Sequence, residues 1–281
     1  MAVQLIRAWL LGTALGALAC APDIDRARPR ASRLLTPTAH AAPAPEPATA
    51  SPAARRRRAQ LVVLDPGHGG EDRGSPGLYG LWEGEVALDL ARRVKGSLAG
   101  FLPSLRVRLT RDADVHIPLE ERASMANALG ADLFVSLHLN AASTVVERGG
   151  ITTFVLDVEN DRNVLRLAAH ENGTRTTEVS AMQFLVGSLA RKDQEKHSLE
   201  LAEFVQRNTL ASARRFLPKL RDRGVRSAMF YVLVGAQMPA ILLEGSFLTQ
   251  PDEARLLQES AYRSALAEGI ARGLVNYLSR E

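Results

Sequence analysis

Hydrophobic and polar residues alternate along the chain in two distinct patterns from Leu61 onwards. Short runs that are almost wholly apolar, or that alternate apolar with polar residues, predict strands. Longer segments with an apolar residue every three or four positions predict helices. The predicted strands are Leu61–Asp65, Leu105–Thr110, Asp132–His138, Ile151–Leu156, Met229–Val234 and Ala240–Glu244, and the predicted helices are Glu83–Leu98, Pro118–Leu129 and Ala261–Leu278. Strands separated by helices predict an α/β fold with a mixed, largely parallel central sheet flanked by helices.

The first 20 residues have the pattern of an export signal. Arg7 precedes an apolar stretch, Ala8 to Leu18, and Ala17-Leu18-Ala19 forms a small-residue cleavage site. The apolar stretch is too short for a comfortable membrane-spanning helix. Cys20 follows the predicted cut, the position of the lipidated cysteine in bacterial lipoproteins. Lipidation of Cys20 and simple cleavage are both left open, and we expect membrane attachment only if Cys20 is lipidated.

The chain between this signal and the folded part is rich in Ala, Pro, Arg, Ser and Thr and has no aromatic residue. This composition predicts a disordered linker over residues 21–59, followed by a single folded domain over residues 60–281. Within the domain, residues 157–198 are polar and charged apart from one apolar patch, Met182–Leu189. Long segments of this kind in a compact domain are commonly functional or mobile, so we expect either a regulatory insertion or an ordinary surface excursion.

Composition narrows the classes of function only slightly. The 46% of hydrophobic residues excludes disorder throughout. The net charge of +4 owes much to one run, Arg55–Arg58, so we do not predict a nucleic-acid-binding protein. The single cysteine excludes an intrachain disulfide.

Four residues carry the candidate chemistry. His68 lies in a loop rich in glycine directly after the first predicted strand, and His138 ends another inner strand. Glu83 opens the first helix, and Glu244 ends the last strand after four apolar residues. Parallel sheets place their sites at the carboxyl ends of the strands, and a buried carboxylate needs a partner or a cation.

Two histidines and two glutamates suit a zinc hydrolase. Such sites use two histidines, one glutamate and a water, with a further carboxylate as general base and acid. On spacing alone an alternative stays open, in which His68 and His138 are ordinary loop residues and Glu83 merely favours a helix N-terminus. His40, His116, His170 and His197 are predicted to be linker or surface residues.

Five ordered motifs resemble the zinc-dependent N-acetylmuramoyl-L-alanine amidases, often called amidase 3. The resemblance covers roughly Leu61 to the C-terminus. Gln250 stands where the family often has Asn, and Gly84 where Lys is common; neither is a predicted ligand. The matching segments are Leu64–Gly70, Gly80–Leu88, Leu109–Asp112 with Pro118–Asn127, Asp132–Asn140 and Met238–Glu244.

The resemblance implies an amidase 3 type catalytic domain that acts on peptidoglycan. His68, Glu83 and His138 would be the ligands of Zn²⁺, and Glu244 the catalytic carboxylate. The implied reaction is hydrolysis of the amide between N-acetylmuramic acid and the L-alanine of the stem peptide, in cell-wall remodelling or daughter-cell separation.

Residues 157–198 are similar in position to an insertion in periplasmic division amidases, where a helix plugs the zinc cleft until a protein activator displaces it. We therefore expect autoinhibition, with Glu171 and Glu178 as candidate plugging carboxylates. Two other functions remain open: a zinc peptidase acting within the stem peptide, and a wall-binding module without activity. Because degenerate binding modules would be expected to lose a ligand or the base, the presence of all four residues favours an enzyme.

Overall fold

Twelve regular elements account for most of the chain that can be described. The computed structural model describes residues 61–141, 149–157, 161–178 and 192–280. Cys20, the predicted linker and the patch Met182–Leu189 lie outside the described residues. The strands are β1 (Leu61–Pro66), β2 (Arg106–Leu109), β3 (Leu133–Asn140), β4 (Ile151–Leu156), β5 (Asp222–Ala228) and β6 (Ala240–Phe247). The helices are α1 (Glu83–Phe101), α2 (Leu119–Ala128), α3 (Arg162–Glu171), α4 (Lys192–Ala213), α5 (Pro251–Gln258) and α6 (Ser260–Leu278).

The six strands form one mixed sheet in the order β2-β1-β3-β6-β4-β5. Every neighbouring pair is parallel except β4 with β6, which is antiparallel. The predicted fold class is thereby confirmed. The parallel pairing of β3 with β6 sets His138 directly opposite Glu244, so two predicted site residues meet at one edge of the sheet.

Two hydrophobic cores cover the two faces of this sheet. Helices α1, α4 and α6 pack on one face, and the predicted stripe Val86, Leu90, Val94 and Leu98 is buried there. Helices α2 and α3 and the segment 228–238 pack on the other face. The close approach of α6 to α4 requires Gly273, because a Cβ at this position would meet the backbone of Val205. The sheet is therefore shielded from water on both sides, as parallel strands require.

The predicted strand Met229–Val234 is wrong. Tyr231–Leu233 form a 3₁₀ turn, and the strand lies just before it as β5. Met229, Phe230, Val232 and Leu233 are apolar because they fill the second core, whereas β5 is an edge strand with mostly half-exposed positions. An apolar run indicates that a segment is buried. A turn inside the core is buried just as a strand is, so the run alone does not distinguish them.

No helix among the described residues is long and apolar enough to cross a membrane.

The end of β6 is anchored by α5. Gln250, at the position where the family often has Asn, caps α5, and its side chain accepts hydrogen bonds from the backbone N–H groups of Asp252 and Glu253. The buried Glu253 carboxylate accepts from the Ser246 hydroxyl at 2.8 Å and from the Phe247 N–H at 2.9 Å. These bonds fix the strand just beyond Glu244.

The pH dependence of stability should reveal this buried carboxylate. Burial raises the pKa of Glu253 to about 7, although its hydrogen bonds oppose the shift. Between about 4.5 and about 7 the folded protein keeps a proton that the unfolded chain has lost, so the free energy of unfolding decreases as pH rises. We expect the stability of wild type relative to Glu253→Gln to fall by up to about 3 kcal/mol over this range. Urea unfolding of both proteins at several pH values measures it, and a difference independent of pH would contradict the assignment.

Candidate metal centre

The loop after β1 requires an unusual backbone. His68 has φ of 57° and is followed by Gly69 and Gly70, also with positive φ. Few non-glycine residues adopt this conformation, so the surrounding structure has to hold it. A Cβ at Gly67 would overlap the imidazole of His138, so glycine is needed where the loop passes the second histidine.

Two arginines hold this loop from below. Arg111 and Arg122 are both buried, at 2% exposure each, and their guanidinium groups donate to backbone carbonyls. Each guanidinium has five donors in a fixed planar arrangement, which suits several acceptors at once. The accepting carbonyls are those of Pro66, Gly67, Gly84 and Ala113 for Arg111, and of Pro66, His68 and Ile117 for Arg122.

Asp65 balances the charge beneath the loop. Its carboxylate is fully buried and lies 3.1 Å from Nη1 of Arg122. It also accepts hydrogen bonds from the hydroxyls of Thr110 and Ser136, at 2.6 and 2.8 Å. The last residues of β1 are thereby fixed in a network of charged and polar groups that are paired with one another. Such a network is rigid because its interactions are stronger in the low dielectric of the protein interior.

Four side chains converge above this loop. His68 Nε2 lies 3.1 Å from both Glu83 Oε1 and Glu171 Oε2. His138 Nδ1 lies 2.9 Å from the same two oxygens. The four atoms all lie within 4.8 Å of one another, so together they could hold a metal ion.

Neighbouring groups orient these side chains. The His68 Nδ1 atom pairs with Asp72 at 2.8 Å, which directs Nε2 toward the cluster. The second oxygen of Glu83 accepts from the backbone N–H of Ser75 at 3.0 Å. A carboxylate on the outer nitrogen of a histidine is a common way to fix a metal-binding imidazole.

The charges in the cluster are strongly coupled. Burial alone would lower the pKa of His68, but contacts with Asp72, Glu171 and Glu83 outweigh it and raise that pKa to about 12. The pKa of His138 is raised to about 10, because Glu171 and Glu83 outweigh its burial. The two histidines in turn hold the pKa of Glu83 below its usual value despite its burial. The site thus stabilises positive charge between the two carboxylates.

Glu244 lies beside the cluster without a partner. Its side chain is fully buried, and neither carboxylate oxygen has a hydrogen-bond partner among the described residues. Burial raises the pKa of Glu244 well above its ordinary value, and the negative charge of Glu171 raises it further. A glutamate with a raised pKa beside a metal-binding cluster can accept or donate a proton near neutral pH.

Glu171 reaches the cluster from the end of α3. The preceding residue, His170, pairs through Nε2 with the Ser75 hydroxyl at 2.9 Å. The following residue, Asn172, donates to the Met229 carbonyl and accepts from the Tyr231 N–H, each at 2.8 Å. These contacts fix Glu171 over the two histidines.

The structure brings together all four residues predicted for the chemistry and places Glu171, one of the two candidate plugging carboxylates, among them. Glu178 does not join them, because it is bonded to Thr174 and Arg175 in an exposed turn. His116 and His170 are exposed, as predicted, but both line the cleft that contains the cluster. His197 is only partly buried and pairs with Glu200.

This architecture defines an α/β protein with a cluster that could hold a metal ion at the carboxyl edge of its sheet. The sequence profile of the N-acetylmuramoyl-L-alanine amidase family, Amidase_3, matches residues 62–276. The chain therefore belongs to the N-acetylmuramoyl-L-alanine amidase family.

Relatives and solved structures agree with this membership. The amidase AmiA of Escherichia coli K12 is 34% identical over 227 residues, which is 78% of this chain and 76% of AmiA. An N-acetylmuramoyl-L-alanine amidase from Clostridium difficile 630 matches with a TM-score of 0.60 and 31% identity, over 79% of this chain and 98% of that one. The amidase AmiC2 of Nostoc punctiforme matches with a TM-score of 0.58 and 31% identity, over 79% of this chain and 98% of that one.

Removal of the Arg122 guanidinium should destabilise the loop that carries His68. Arg122→Ala leaves Asp65 buried without its cation and removes the arginine donor of the His68 and Ile117 carbonyls, so we expect a loss of about 3–5 kcal/mol in the free energy of unfolding. Arg92→Ala is the matched control, because Arg92 forms an exposed pair with Asp112 and should cost less than about 1 kcal/mol. Urea unfolding compares the two variants, and similar small losses would contradict a supporting role for Arg122.

Proposed function

We propose that this protein is a zinc-dependent N-acetylmuramoyl-L-alanine amidase that acts on peptidoglycan. In this proposal His68, Glu83 and His138 hold Zn²⁺, and Glu244 is the general base and acid. The observation that carries it is the position of Glu244, a buried carboxylate directly opposite His138 in the sheet that has no hydrogen-bond partner within the described part of the chain. Membership of the amidase family supplies the substrate class.

The donor set suits zinc. Two imidazole nitrogens and carboxylate oxygens are ligands that Zn²⁺ takes in hydrolases. A tetrahedral zinc with bonds of about 2.0–2.2 Å separates its ligand atoms by roughly 3.3–3.6 Å. The separations in the cluster range from 2.9 Å to no more than 4.8 Å and bracket this value. His68 Nε2 and Glu171 Oε2 are buried without a well-formed hydrogen bond although they are 3.1 Å apart, which is consistent with a cation between them.

The chain's own residues would perform the proton transfers. Zinc, when bound, would polarise the substrate carbonyl and lower the pKa of water. A Glu244 carboxylate oxygen would accept a proton from the attacking water and donate it to the amine of L-alanine as the amide bond breaks. The burial that raises the pKa of Glu244 fits a group that holds a proton between these two steps.

The substrate also sets the location of the enzyme. Peptidoglycan lies outside the cytoplasmic membrane, so the proposed activity requires export, for which residues 1–20 have a suitable pattern. Within the wall, the reaction would serve remodelling or the separation of daughter cells.

We also infer that α3 holds the enzyme in an inhibited state. A catalytic zinc site keeps one coordination position open for water, whereas four protein ligands close it. Glu171 would be that fourth ligand, and the contacts of His170 and Asn172 on either side keep it in place. Activity would then require α3 to move, and a protein activator that binds the moved state would favour it.

Substitution of the proposed base tests the mechanism. Glu244→Gln should lower kcat about 10²- to 10⁴-fold, the usual contribution of a general acid and base, while the zinc content stays the same. Glu85→Gln, which alters an exposed glutamate of α1, should leave kcat unchanged. The measurement is release of stem peptide from purified peptidoglycan, with a free lactyl group on muramic acid as the product. Activity that survives both this substitution and a chelator would contradict the mechanism, and cleavage within the stem peptide would indicate a peptidase.

Inhibition by α3 is tested by removing the carboxylate of Glu171. Glu171→Ala should raise basal activity about 5- to 150-fold, the range of ordinary coupling free energies. Glu178→Ala is the matched control: Glu178 is a glutamate of the same segment, away from the cluster, and its loss should change nothing. Unchanged activity of Glu171→Ala with zinc fully bound would show that Glu171 does not plug the site.

A further inference from the structure

Helix α3 separates two grooves that both reach His170. The first, which we call the metal cleft, is about 810 Å³ and contains His68, His138 and Glu171 with residues from the start of α2. The second is about 970 Å³ and runs over Thr152 and Phe154 of β4 toward the edge strand β5. Because α3 lies between them, its movement would join the two grooves into one channel across the proposed catalytic centre.

The two grooves differ in charge. The second groove is lined by Arg166, Arg175, Arg223 and Arg226, and its described lining contains no Asp or Glu. We call it the arginine groove.

The metal cleft contains acids and imidazoles. Asp72, Glu120 and Glu171 line it together with four histidines. Its only arginine in the described lining is Arg122, whose guanidinium is already bound to backbone carbonyls and Asp65. Arginine side chains are therefore concentrated at the end of the channel away from the cluster, and they favour a substrate with carboxylates on that side.

The proposed substrate is polarised in the same sense. On the acyl side of the scissile amide lies the muramic acid unit, whose only carboxyl group is consumed in the amide. On the amine side lies the stem peptide, whose later residues carry free carboxylates. Charge complementarity thus assigns the peptide side to the arginine groove.

Carboxylates outside this lining pair with its arginines: Glu178 pairs with Arg175, and Asp161 pairs with Arg226. Asp161, the N-cap residue of α3, lies with its Oδ2 atom 2.9 Å from Nη2 of Arg226. The same helix presents Glu171 to the cluster at its other end. A helix rises about 1.5 Å per residue, so the ten steps from Asp161 to Glu171 span roughly 15 Å. An extended peptide covers that distance in about four residues, which is the scale of a stem peptide.

The sheet gives a similar distance independently. His138 on β3 and Arg226 on β5 are separated by three strand spacings of about 4.8 Å, or roughly 14 Å. Arg223 and Arg226 belong to β5 and stay in place if α3 moves, whereas Arg166 and Arg175 belong to α3 and the turn after it.

We propose that Arg223 and Arg226 form a binding site for carboxylates of the stem peptide, which Asp161 of α3 occupies in the inhibited state. This inference rests on the proposed amidase activity. It makes α3 a mimic of the substrate at two points: Asp161 stands for a stem-peptide carboxylate, and Glu171 for an oxygen at the reaction centre.

The test compares two substrates in the same enzyme. One is a soluble muramoyl-peptide with free stem carboxylates, and the other is the same molecule with those carboxylates converted to neutral amides. We expect wild type to prefer the free acid in kcat/KM, and Arg223→Gln and Arg226→Gln each to lower that preference about 10-fold, mainly through KM. Loss of the Arg226–Asp161 ion pair would raise the rates on both substrates equally. The ratio of their kcat/KM values is therefore independent of this activation.

Asp161→Asn is the matched control. It breaks the same ion pair but leaves both arginines, so it should raise the rates on both substrates and keep their ratio at the wild-type value. If the arginine variants keep the wild-type ratio, or slow both substrates equally, the arginines do not bind the stem peptide.

Binding provides a readout that does not depend on hydrolysis. In the Glu171→Ala, Glu244→Gln protein, calorimetry with free stem peptide should show an affinity about 10-fold weaker once Arg226→Gln is added. Unchanged affinity would overturn the proposal. If the affinity depends on Arg226 but wild type hydrolyses neither substrate, the carboxylate site is supported and the amidase activity is contradicted.

Discussion

The ion pair between Arg122 and Asp65 lies beneath the whole candidate site. Both groups are buried, and a buried charge without its partner costs several kcal/mol. The pair is tolerated because each member also has neutral partners: loop carbonyls for the guanidinium, and the hydroxyls of Thr110 and Ser136 for the carboxylate. Charge buried here holds His68 in a backbone conformation that a histidine rarely adopts. The position of the first candidate ligand thus follows from a charge that the core must neutralise.

The cluster above this pair is itself close to charge balance. With raised histidine pKa values and lowered glutamate pKa values, two imidazolium groups face two carboxylates, Glu83 and Glu171. A divalent cation that displaces two protons would leave the same total charge. Glu244 is the fifth group, and its raised pKa keeps a further negative charge out of the buried space. If Glu171 withdraws, one negative charge leaves the surroundings of Glu244. One cause of its raised pKa then disappears, so movement of α3 would act on the general base as well as on the open ligand position.

The sequence predicted the positions that depend on local pattern or on a short motif. The inner strands β1, β3 and β6 are buried throughout and begin with apolar runs because both faces of the sheet are covered, and their ends locate His68, His138 and Glu244. The edge strand β5 was missed because its half-exposed residues, from Asp222 to Ala228, lack an apolar run. Glu171 was one of two candidates in a long polar segment, and nothing local distinguishes it from Glu178. Glu171 is distinguished by the contacts of its neighbours His170 and Asn172. These two residues pair with Ser75, Met229 and Tyr231, which are far away in the sequence.

An inhibitory helix has to bind firmly enough to close the site and weakly enough to be displaced. Helix α3 buries three apolar residues against the sheet, and Glu171 pairs with both histidines. Its ends are also held by two hydrogen bonds of Asn172, one of His170, and the Arg226–Asp161 pair at the rim. Neutral hydrogen bonds contribute about 1 kcal/mol each, and an exposed ion pair contributes less. Glu171 would add a stronger contact by holding the metal ion, and that contact would be lost if the helix left. In the proposed mechanism, a binding partner or an anionic substrate that favours the open state would displace α3. An inhibitor that occupies the substrate's own charged subsite has a further consequence: each stem-peptide carboxylate bound at Arg226 would displace Asp161, so substrate and activator would favour the same open state.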